Sequence, residues 1–259
     1  MKYRFHIENN KLCLSKIGKI KIKIHREITG KIKTCTIKKE ACGKWFATFS
    51  VECEKEILEP TNKSVGLDLG LTHFATLSSG ETVSNPRFFK TDEKELAKAN
   101  RKLSKTGKGT KERIKRRKIV ARIYERIRNR RNNFSHQISR KLVNEFDKIF
   151  FEDLNVSGMV KNRFLAKSIS DAAWTQTIEF TTYKAENAGR LFALVNPKNT
   201  SQNCSNCGVK VEKSLSVKIH DCFTCGLVLD RDLNAAINIL ALGLQNIGNQ
   251  SVEALKLNF

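Results

Sequence analysis

The sequence is poor in acidic residues, in proline and in long apolar runs. It has 26 Asp and Glu against 48 Lys and Arg, three prolines and a formal net charge of +22 over 259 residues. No stretch approaches the roughly 18 uninterrupted apolar residues of a membrane span, and the start, MKYRFHIENNKLCL, lacks the apolar stretch of a secretory signal. These absences argue against a membrane or secreted protein, so we expect a soluble, cytoplasmic one.

Hydrophobic residues make up 40% of the chain, which argues against a disordered basic tail. At roughly 100 to 200 residues per domain, the length suffices for one large domain or two modest ones. A folded chain with this excess of positive charge repels itself unless a polyanion neutralises it. A folded nucleic-acid-binding protein is therefore the favoured class.

The positive charge is concentrated in residues 101–131, which hold 15 Lys and Arg against two Glu, a local charge of +13. Beyond Gly107 and Gly109, apolar residues recur every four positions, which predicts one amphipathic helix over 111–146. A solvated helix face is the alternative, but the charge has one sign, which favours contact with phosphates. The apolar positions are Ile119, Ile123, Ile127, Phe134, Ile138 and Leu142, and the candidate phosphate contacts are Arg113, Lys115, Arg116, Arg117, Lys118, Arg122, Arg126, Arg130 and Arg131.

The rest of the chain predicts a mixed α/β sheet packed by helices. Residues 17–53 alternate apolar or β-branched residues with lysines, which predicts an antiparallel meander with turns at Gly30 and Gly43. Residues 54–63 are typical of a linker. Residues 64–83 predict an apolar strand, a turn at Ser79 and Gly80, and a return strand. Two further apolar runs of strand length and two helices follow, and the end is expected to be a loosely ordered tail. The runs are 147–156 and 190–197, and the helices are 168–190, stopped by Gly189, and 232–244.

Four of the eight cysteines form two CxxC pairs, Cys204 with Cys207 and Cys222 with Cys225, separated by a 14-residue spacer. Two such pairs can hold one tetrahedral ion, and a glycine follows each pair where the chain turns around the metal. This spacing predicts a structural zinc site, and four cysteines leave no open position for catalysis by the ion. The other four cysteines, dispersed among strand positions, are expected to be buried thiols.

Three acids stand in apolar surroundings, where a carboxylate is costly. Asp68 interrupts VGLDLGL between two glycines, Glu152 closes IFFEDL, and Asp232 opens the helix DLNAAINIL. Singly, each has an ordinary structural explanation, such as an edge residue or a helix cap. Together they fit carboxylates on neighbouring strands and an adjacent helix that converge on divalent metal, as in phosphodiester hydrolysis.

In order and spacing, several segments resemble the C-terminal half of TnpB, the transposon-encoded RNA-guided nuclease related to type V CRISPR effectors. They are GLDLGLTHFATLSSGE, FFEDLNVSGM, WTQTIEFTTYKAENAGR, NPKNTSQNCSNCG and CGLVLDRDLNAAINIL. The resemblance covers about Lys19 to Gly243. It implies an α/β, RNase H-like RuvC nuclease domain with an inserted zinc ribbon, preceded by a partial β-barrel. It further implies a catalytic Mg²⁺ held by Asp68, Glu152 and Asp232, a DNA substrate and a guide RNA from the transposon end.

The implied domains are a partial barrel over 1–60, a RuvC core over 61–200, a zinc ribbon over 201–229, a last RuvC helix over 230–243 and a tail over 244–259. Asp230, two residues from Asp232, is the second choice for the third acid and has its own explanation as a helix cap. The family's helix-turn-helix and helical insert have no counterpart in this sequence, so we expect an N-terminally truncated copy or the distal half of a split gene.

Three functions follow in decreasing order. The first is a metal-dependent, RNA-guided DNA endonuclease. The second is an RNA- or DNA-binding remnant or regulator without productive cleavage. The third is a DNA-joining transposase, for which Tyr3, Tyr124 and Tyr183 are scattered without paired histidines.

Overall fold

A computed structural model describes residues 5–214 and 216–256. The strands are β1 (Phe5–Glu8), β2 (Lys11–Leu14), β3 (Gly18–Lys21), β4 (Lys31–Lys39), β5 (Trp45–Glu52), β6 (Ser64–Leu69), β7 (His73–Leu77), β8 (Thr82–Ser84), β9 (Lys148–Glu152), β10 (Leu191–Val195), β11 (Ile219–Asp221) and β12 (Val228–Asp230). The helices are α1 (Phe88–Ser104), α2 (Lys111–Glu145), α3 (Val156–Met159), α4 (Ala166–Ala172), α5 (Trp174–Asn187) and α6 (Arg231–Lys256).

The chain divides into two compact units. The first comprises residues 1–55 and 95–125, and the second comprises residues 56–94 and 126–259. These units are coarser than the domains expected from the sequence, whose boundaries stay a prediction.

The first unit contains a three-stranded antiparallel sheet, β1-β2-β3, and a separate β4-β5 hairpin. The single meander predicted for residues 17–53 is therefore wrong, because β3 pairs with β2 rather than with β4. The turn before β2 is formed by Asn9 and Asn10, both at positive φ (48° and 57°). Consecutive Asn residues favour this type of tight hairpin turn, so the sequence carried a signal for the β1-β2 hairpin.

The second unit is built on a five-stranded mixed sheet in the order β10-β9-β6-β7-β8. β6 pairs antiparallel with β7 and parallel with β9, and β10 adds in parallel to β9. Because successive side chains of a strand point to opposite faces, the sheet has two distinct cores. The larger core includes Val65, Leu67, Phe151 and Trp174, and the smaller one joins Phe150 and Val195 to Ile239 of α6.

Helix α6 packs unusually close to the central strands. A Cβ on Gly66 would stand 2.4 Å from the Ala236 carbonyl oxygen, and one on Gly243 would stand 2.3 Å from the Phe150 ring. Glycine is therefore required at both positions. The tail expected from 244 onwards is wrong, because α6 continues to Lys256. Gly243 lies within the helix and allows its close packing against Phe150. The last residues of the predicted tail, 257–259, lie outside the described part of the chain.

The other helices differ from the sequence prediction in two places. The helix predicted over 168–190 is broken into α4 and α5 at Ala173, whose φ is 57°, although α5 does end before Gly189 at φ 69° as expected. Helix α1 was not predicted at all. Helix α2 begins at the predicted residue and ends one residue earlier than predicted, at Glu145.

Among the described residues, no helix combines the length and the apolar character that crossing a membrane requires.

Candidate nuclease and zinc sites

The four cysteines predicted to hold zinc come together. Their sulfur atoms all lie within 4.8 Å of one another, and the Sγ–Sγ distances are 3.5 Å for Cys204 with Cys225 and 3.6 Å for Cys207 with Cys222. Tetrahedral coordination at about 2.3 Å places sulfurs roughly 3.8 Å apart, so the cluster has the size that zinc requires. The cluster could therefore bind a zinc ion.

Each CxxC pair is shaped by its own tight turn. Gly208 N donates to Cys204 O at 2.9 Å, and Gly226 N donates to Cys222 O at 2.8 Å. Both glycines have positive φ, 76° and 74°, which side-chain-bearing residues rarely adopt. The glycine that follows each pair in the sequence thus has the role predicted for it.

The cluster favours deprotonation of one cysteine before any metal binds. The Asn206 side chain and the Leu227 N–H lower the pKa of Cys225 to about 6. Thiolate is the form that binds metal. The protein therefore favours the thiolate form of Cys225 at neutral pH.

Asp68 and Glu152 lie side by side on adjacent parallel strands. The register between β6 and β9 ends at Leu67 opposite Phe151, and each acid is the next residue along its strand. Both acids follow residues of the larger core, so alternation directs them to the other face, the one covered by α6. Glu152 is only 6% exposed.

Asp232 belongs to the first turn of α6, and the Gly66 contact brings that helix close to the strand of Asp68. Its Oδ1 accepts hydrogen bonds from Arg231 Nε and Nη2 at 3.1 and 2.9 Å. Its Oδ2 accepts from Lys218 Nζ at 3.3 Å. The Asp232 carboxylate therefore has two cationic hydrogen-bond partners.

Asp230 has a different role. Its Oδ1 accepts from the backbone N–H of Asp232 at 2.8 Å and of Leu233 at 3.1 Å. These are the otherwise unpaired donors at the start of α6, so Asp230 is the N-cap of that helix. This cap gives Asp230 a structural reason to be present.

The three acids interact electrostatically. Burial raises the pKa of Asp68 well above its usual value, and the charges of Glu152 and Asp232 raise it further against the opposing effect of Arg231 and Lys218. Burial also raises the pKa of Glu152, the Thr200 hydrogen bond opposes this, and Asp232 adds to it. Mutual repulsion of this kind is what a bound cation would relieve.

The ligand atoms of the three acids are more widely separated than those of the four cysteines. Among the described residues, two groups of ligand-type side chains have all their ligand atoms within 4.8 Å of one another, and the three acids are not one of them. Three partly buried carboxylates nevertheless supply the hard oxygen ligands that Mg²⁺ prefers. The donor set therefore fits a divalent cation, with Asp232 still engaged by Arg231 and Lys218.

The second group with all ligand atoms that close is His6, Glu8 and Cys13. His6 and Cys13 are paired across β1 and β2. Glu8 Oε2 already accepts from Lys19 Nζ at 2.9 Å, which lowers the Glu8 pKa. Glu8 is therefore engaged in an ion pair across this sheet.

Sequence reasoning missed the polar side chains that support the acids. Thr200 Oγ1 donates to Glu152 Oε1 at 2.6 Å. Asn234 and Asn238 of α6 hydrogen-bond the loop that leads from Thr200 to Cys204. A signal was available, since two Asn residues four positions apart lie on one face of an otherwise apolar helix.

Several arginines of α2 have partners inside their own unit. Asp92 accepts from Arg126 and Arg130, and Asp171 accepts from Arg131. Arg113 donates to the carbonyl oxygens of Leu103 and Thr106, and Arg116 pairs with Glu112. These five candidate phosphate contacts thus have structural roles that the sequence did not reveal, and Lys115, Arg117, Lys118 and Arg122 are exposed.

The apolar stripe of α2 is only partly as predicted. Ile123 and Ile127 are buried, but Ile119 is 40% exposed and its neighbour Val120 is buried instead. Further along, Phe134, Ile138 and Leu142 join the larger core.

Two family models match the chain. Residues 48–163 match OrfB_IS605, described as "Probable transposase", and residues 174–239 match the "Cas12f1-like, TNB domain". A Streptomyces pristinaespiralis protein named "Putative RNA-guided DNA endonuclease" is 41% identical over 82% of this chain and 53% of its own length. Escherichia coli K12 InsQ, with the same description, is 32% identical over 91% of this chain and 63% of its own length. The chain belongs to the TnpB family.

This TnpB family member spans between half and two thirds of the length of these two relatives. Solved structures agree on the fold. A Cas12f1–sgRNA–target DNA complex matches with a TM-score of 0.50 at 17% identity, over 79% of this chain and 55% of that one. A CRISPR–Cas12f ternary complex matches with a TM-score of 0.51 at 19% identity, over 80% of this chain and 44% of that one.

Proposed function

We propose that the chain is the catalytic part of an RNA-guided DNA endonuclease in which Asp68, Glu152 and Asp232 hold Mg²⁺. The observation that carries the proposal is the position of the acids: Asp68 and Glu152 lie side by side on β6 and β9, and Asp232 is in the first turn of the helix that packs against β6. In this proposal the mixed sheet is an RNase H-like RuvC core, the cysteine cluster is a zinc ribbon, and the strands of the first unit are the remainder of a β-barrel. The substrate is DNA and the partner is a guide RNA from the transposon end; the relatives' names, which describe RNA-guided DNA endonucleases, support the DNA and the RNA.

The chain's own residues would act as follows. Asp68, on the central strand β6, would supply one carboxylate ligand. Glu152 is held by Thr200 and presents its second oxygen. Asp232 would supply the third carboxylate, and its hydrogen-bond donors Arg231 and Lys218 would be the cationic side chains nearest to a phosphate bound there. Bound Mg²⁺ supplies an activated water and stabilises the leaving oxygen of the phosphodiester.

The exposed basic side chains of α2 would hold the nucleic-acid backbone. Lys115, Arg117, Lys118 and Arg122 are exposed and lie within two turns of one helix, where lysine and arginine can contact phosphates. The expected contribution is affinity without sequence preference.

The test is cleavage by the purified chain with RNA transcribed from its flanking transposon end and a matching DNA target. Cleavage is expected with Mg²⁺, and none with Ca²⁺ or in Asp68→Asn and Glu152→Gln. Both variants keep the side-chain shape, so binding of the RNA and DNA should be unchanged. Cleavage that survives in Asp68→Asn would contradict the proposal.

A second candidate is a binding protein that does not cleave. It is favoured by the position of the Asp232 carboxylate, which already has Arg231 and Lys218 as partners. Binding of the RNA and DNA at normal affinity, with no Mg²⁺-dependent product under any tested condition, would support this alternative.

A further inference from the structure

The loop between β10 and the first cysteine pair connects the acid site to the zinc site. Asn196 and Pro197 begin it, Thr200 stands in its middle, and Cys204 ends it. Thr200 is 3% exposed and Cys204 is 2% exposed, so the loop is buried both at its middle and at its end.

Thr200 fixes one oxygen of Glu152. The 2.6 Å separation of its Oγ1 from Glu152 Oε1 is in the range of a hydroxyl that donates to an ionised carboxylate. The hydroxyl has a single proton, and the Pro197 carbonyl oxygen is farther away, at 3.1 Å. A carboxylate held at one oxygen keeps the other in a defined position for a metal.

Two asparagines of α6 hold the backbone of this loop. Asn238 Nδ2 donates to the carbonyl oxygens of Thr200 and Asn203, both at 2.8 Å. Asn234 Nδ2 donates to Asn203 O at 2.8 Å. Both asparagines therefore fasten the loop to the helix that carries Asp232 in its first turn.

Asn234 also reaches the zinc site. Its Oδ1 accepts from the backbone N–H of Ser205 at 2.9 Å, directly after Cys204. Asn234 is fully buried, and both ends of its amide are satisfied by the loop. A buried amide with both ends paired is specific in its geometry, because any shift of the loop would leave it unpaired.

We propose that Thr200 is a positioning residue for Glu152 and that Asn234 and Asn238 couple it to the zinc site. This inference rests on the proposed function, since it assigns to Glu152 a metal-binding role. Zinc in the cysteine cluster then fixes the loop, the loop fixes Thr200, and Thr200 fixes the Glu152 carboxylate. The ribbon is thereby a support for the catalytic site as well as a separate fold.

The first test measures Mn²⁺ affinity by electron paramagnetic resonance on the purified chain, together with zinc content. Thr200→Val removes the hydroxyl at nearly constant shape and is expected to keep its zinc while Mn²⁺ binds roughly tenfold more weakly. Thr200→Ser retains the hydroxyl and should restore the affinity. Thr181→Val is the matched control, because Thr181 is also buried and its hydroxyl donates to a helix carbonyl, Thr177 O.

The outcomes separate this inference from the function on which it rests. If Mn²⁺ binding is lost in Glu152→Gln but unchanged in Thr200→Val, the role of Thr200 is wrong and the metal site stands. If the wild-type chain shows no Mn²⁺ binding that depends on Glu152, both fail. A zinc-loaded Thr200→Ser that binds Mn²⁺ as weakly as Thr200→Val would also overturn the role of Thr200.

The second test uses the reciprocity of coupled sites. If the two sites are coupled, saturating Mg²⁺ should raise the zinc affinity of the chain, measured by equilibrium competition with a chromophoric chelator, and Thr200→Val or Asn238→Leu should abolish the increase. An equal effect of Mg²⁺ on the wild type and on both variants would overturn the coupling.

Discussion

The backbone of Gly66 lies against Ala236, so that a Cβ at residue 66 would stand 2.4 Å from the Ala236 carbonyl oxygen. Gly66 and Asp68 are on the same face of β6, and Ala236 follows Asp232 by one helical turn. The contact between Gly66 and Ala236 therefore sets the distance between Asp68, two residues after Gly66, and Asp232, four residues before Ala236.

Replacing Gly66 by alanine should disturb the acid site without changing any acid. The new methyl group forces β6 and α6 apart, which we expect to reduce the free energy of unfolding by about 1–3 kcal/mol and to reduce Mg²⁺-dependent cleavage more than DNA binding. Gly248→Ala is the control. Among the described residues, and apart from the helix's own backbone and the two chain neighbours, no atom lies within 4 Å of a Cβ at that helical position, so stability should stay equal or rise by about 0.5–1 kcal/mol. Normal cleavage in Gly66→Ala would contradict this explanation of the spacing.

Zinc should be lost when one buried cysteine of the cluster is changed. Cys204→Ser removes one of four ligands, and we expect the zinc content to fall from about one ion per chain to near zero, with a lower melting temperature. Elemental analysis of the purified chain measures this. Cys53→Ser changes an exposed cysteine outside the cluster and should keep the full zinc content. Full zinc content in Cys204→Ser would show that the cluster does not hold the ion.

Stability without divalent cation should depend on pH through the acids. The raised pKa values of Asp68 and Glu152 contribute stability that is present in acid and lost as the pH rises through those values. Ionised Asp68 and Glu152 then repel each other and Asp232, with Arg231 and Lys218 as partial compensation. Mg²⁺ should therefore raise the melting temperature more at about pH 8 than at about pH 5.

Asp68→Asn tests the same repulsion among the acids by removing one of the charges. It removes one charge that burial and the neighbouring acids disfavour, so at about pH 8 the metal-free variant should be more stable than the wild type, and Mg²⁺ should no longer stabilise it. Thermal melts of both proteins with and without Mg²⁺ give the answer. A Mg²⁺ effect that is independent of pH, or that persists in Asp68→Asn, would be inconsistent with the pKa shifts.

On α2, the exposed basic residues and those with partners in the protein should differ in their effect on DNA binding. Replacing Lys115, Arg117, Lys118 and Arg122 together with alanine should weaken binding to all DNA sequences about equally. On duplex DNA it should also flatten the dependence of log K on log salt by roughly 0.9 for each phosphate that these side chains no longer neutralise. Binding titrations at several salt concentrations measure both. A sequence-selective loss would mean that the helix reads bases.

Arg131→Gln is the comparison for that experiment. Asp171 is 8% exposed and accepts from Arg131 at 2.7 Å. Loss of this partner should lower the free energy of unfolding by about 1–3 kcal/mol with little change in the salt dependence of binding. A larger salt effect from Arg131→Gln than from the four exposed residues would reverse the assignment.

The sequence predicted the central sheet because its strands are continuous apolar runs. The resemblance to the TnpB family, which the comparisons confirm, rests on the same segments and on the cysteine spacing. Local patterns were less informative in the first unit. There, lysine-rich alternation indicated strands around Gly30 but did not determine their partners, because pairing depends on contacts distant in sequence.

The supporting residues of the site could not be predicted for a related reason. Thr200 and Asn238 are ordinary polar residues in the sequence, and their roles arise only when β9, the loop and α6 meet. Asp92 and Asp171 likewise lie far along the chain from the arginines they bind. The role of Gly243 could not be predicted either, because its close approach to the Phe150 ring arises only when α6 packs against β9.

The choice between Asp232 and Asp230 tests the proposed nuclease site most directly. The measurement is Mg²⁺-dependent cleavage of guide-matched DNA by the wild-type chain, Asp232→Asn and Asp230→Asn, with DNA binding measured in parallel. We predict that Asp232→Asn binds DNA normally and does not cleave, whereas Asp230→Asn, which retains a capping oxygen, cleaves at close to the wild-type rate. Cleavage by Asp232→Asn together with loss of cleavage in Asp230→Asn would contradict the proposed site.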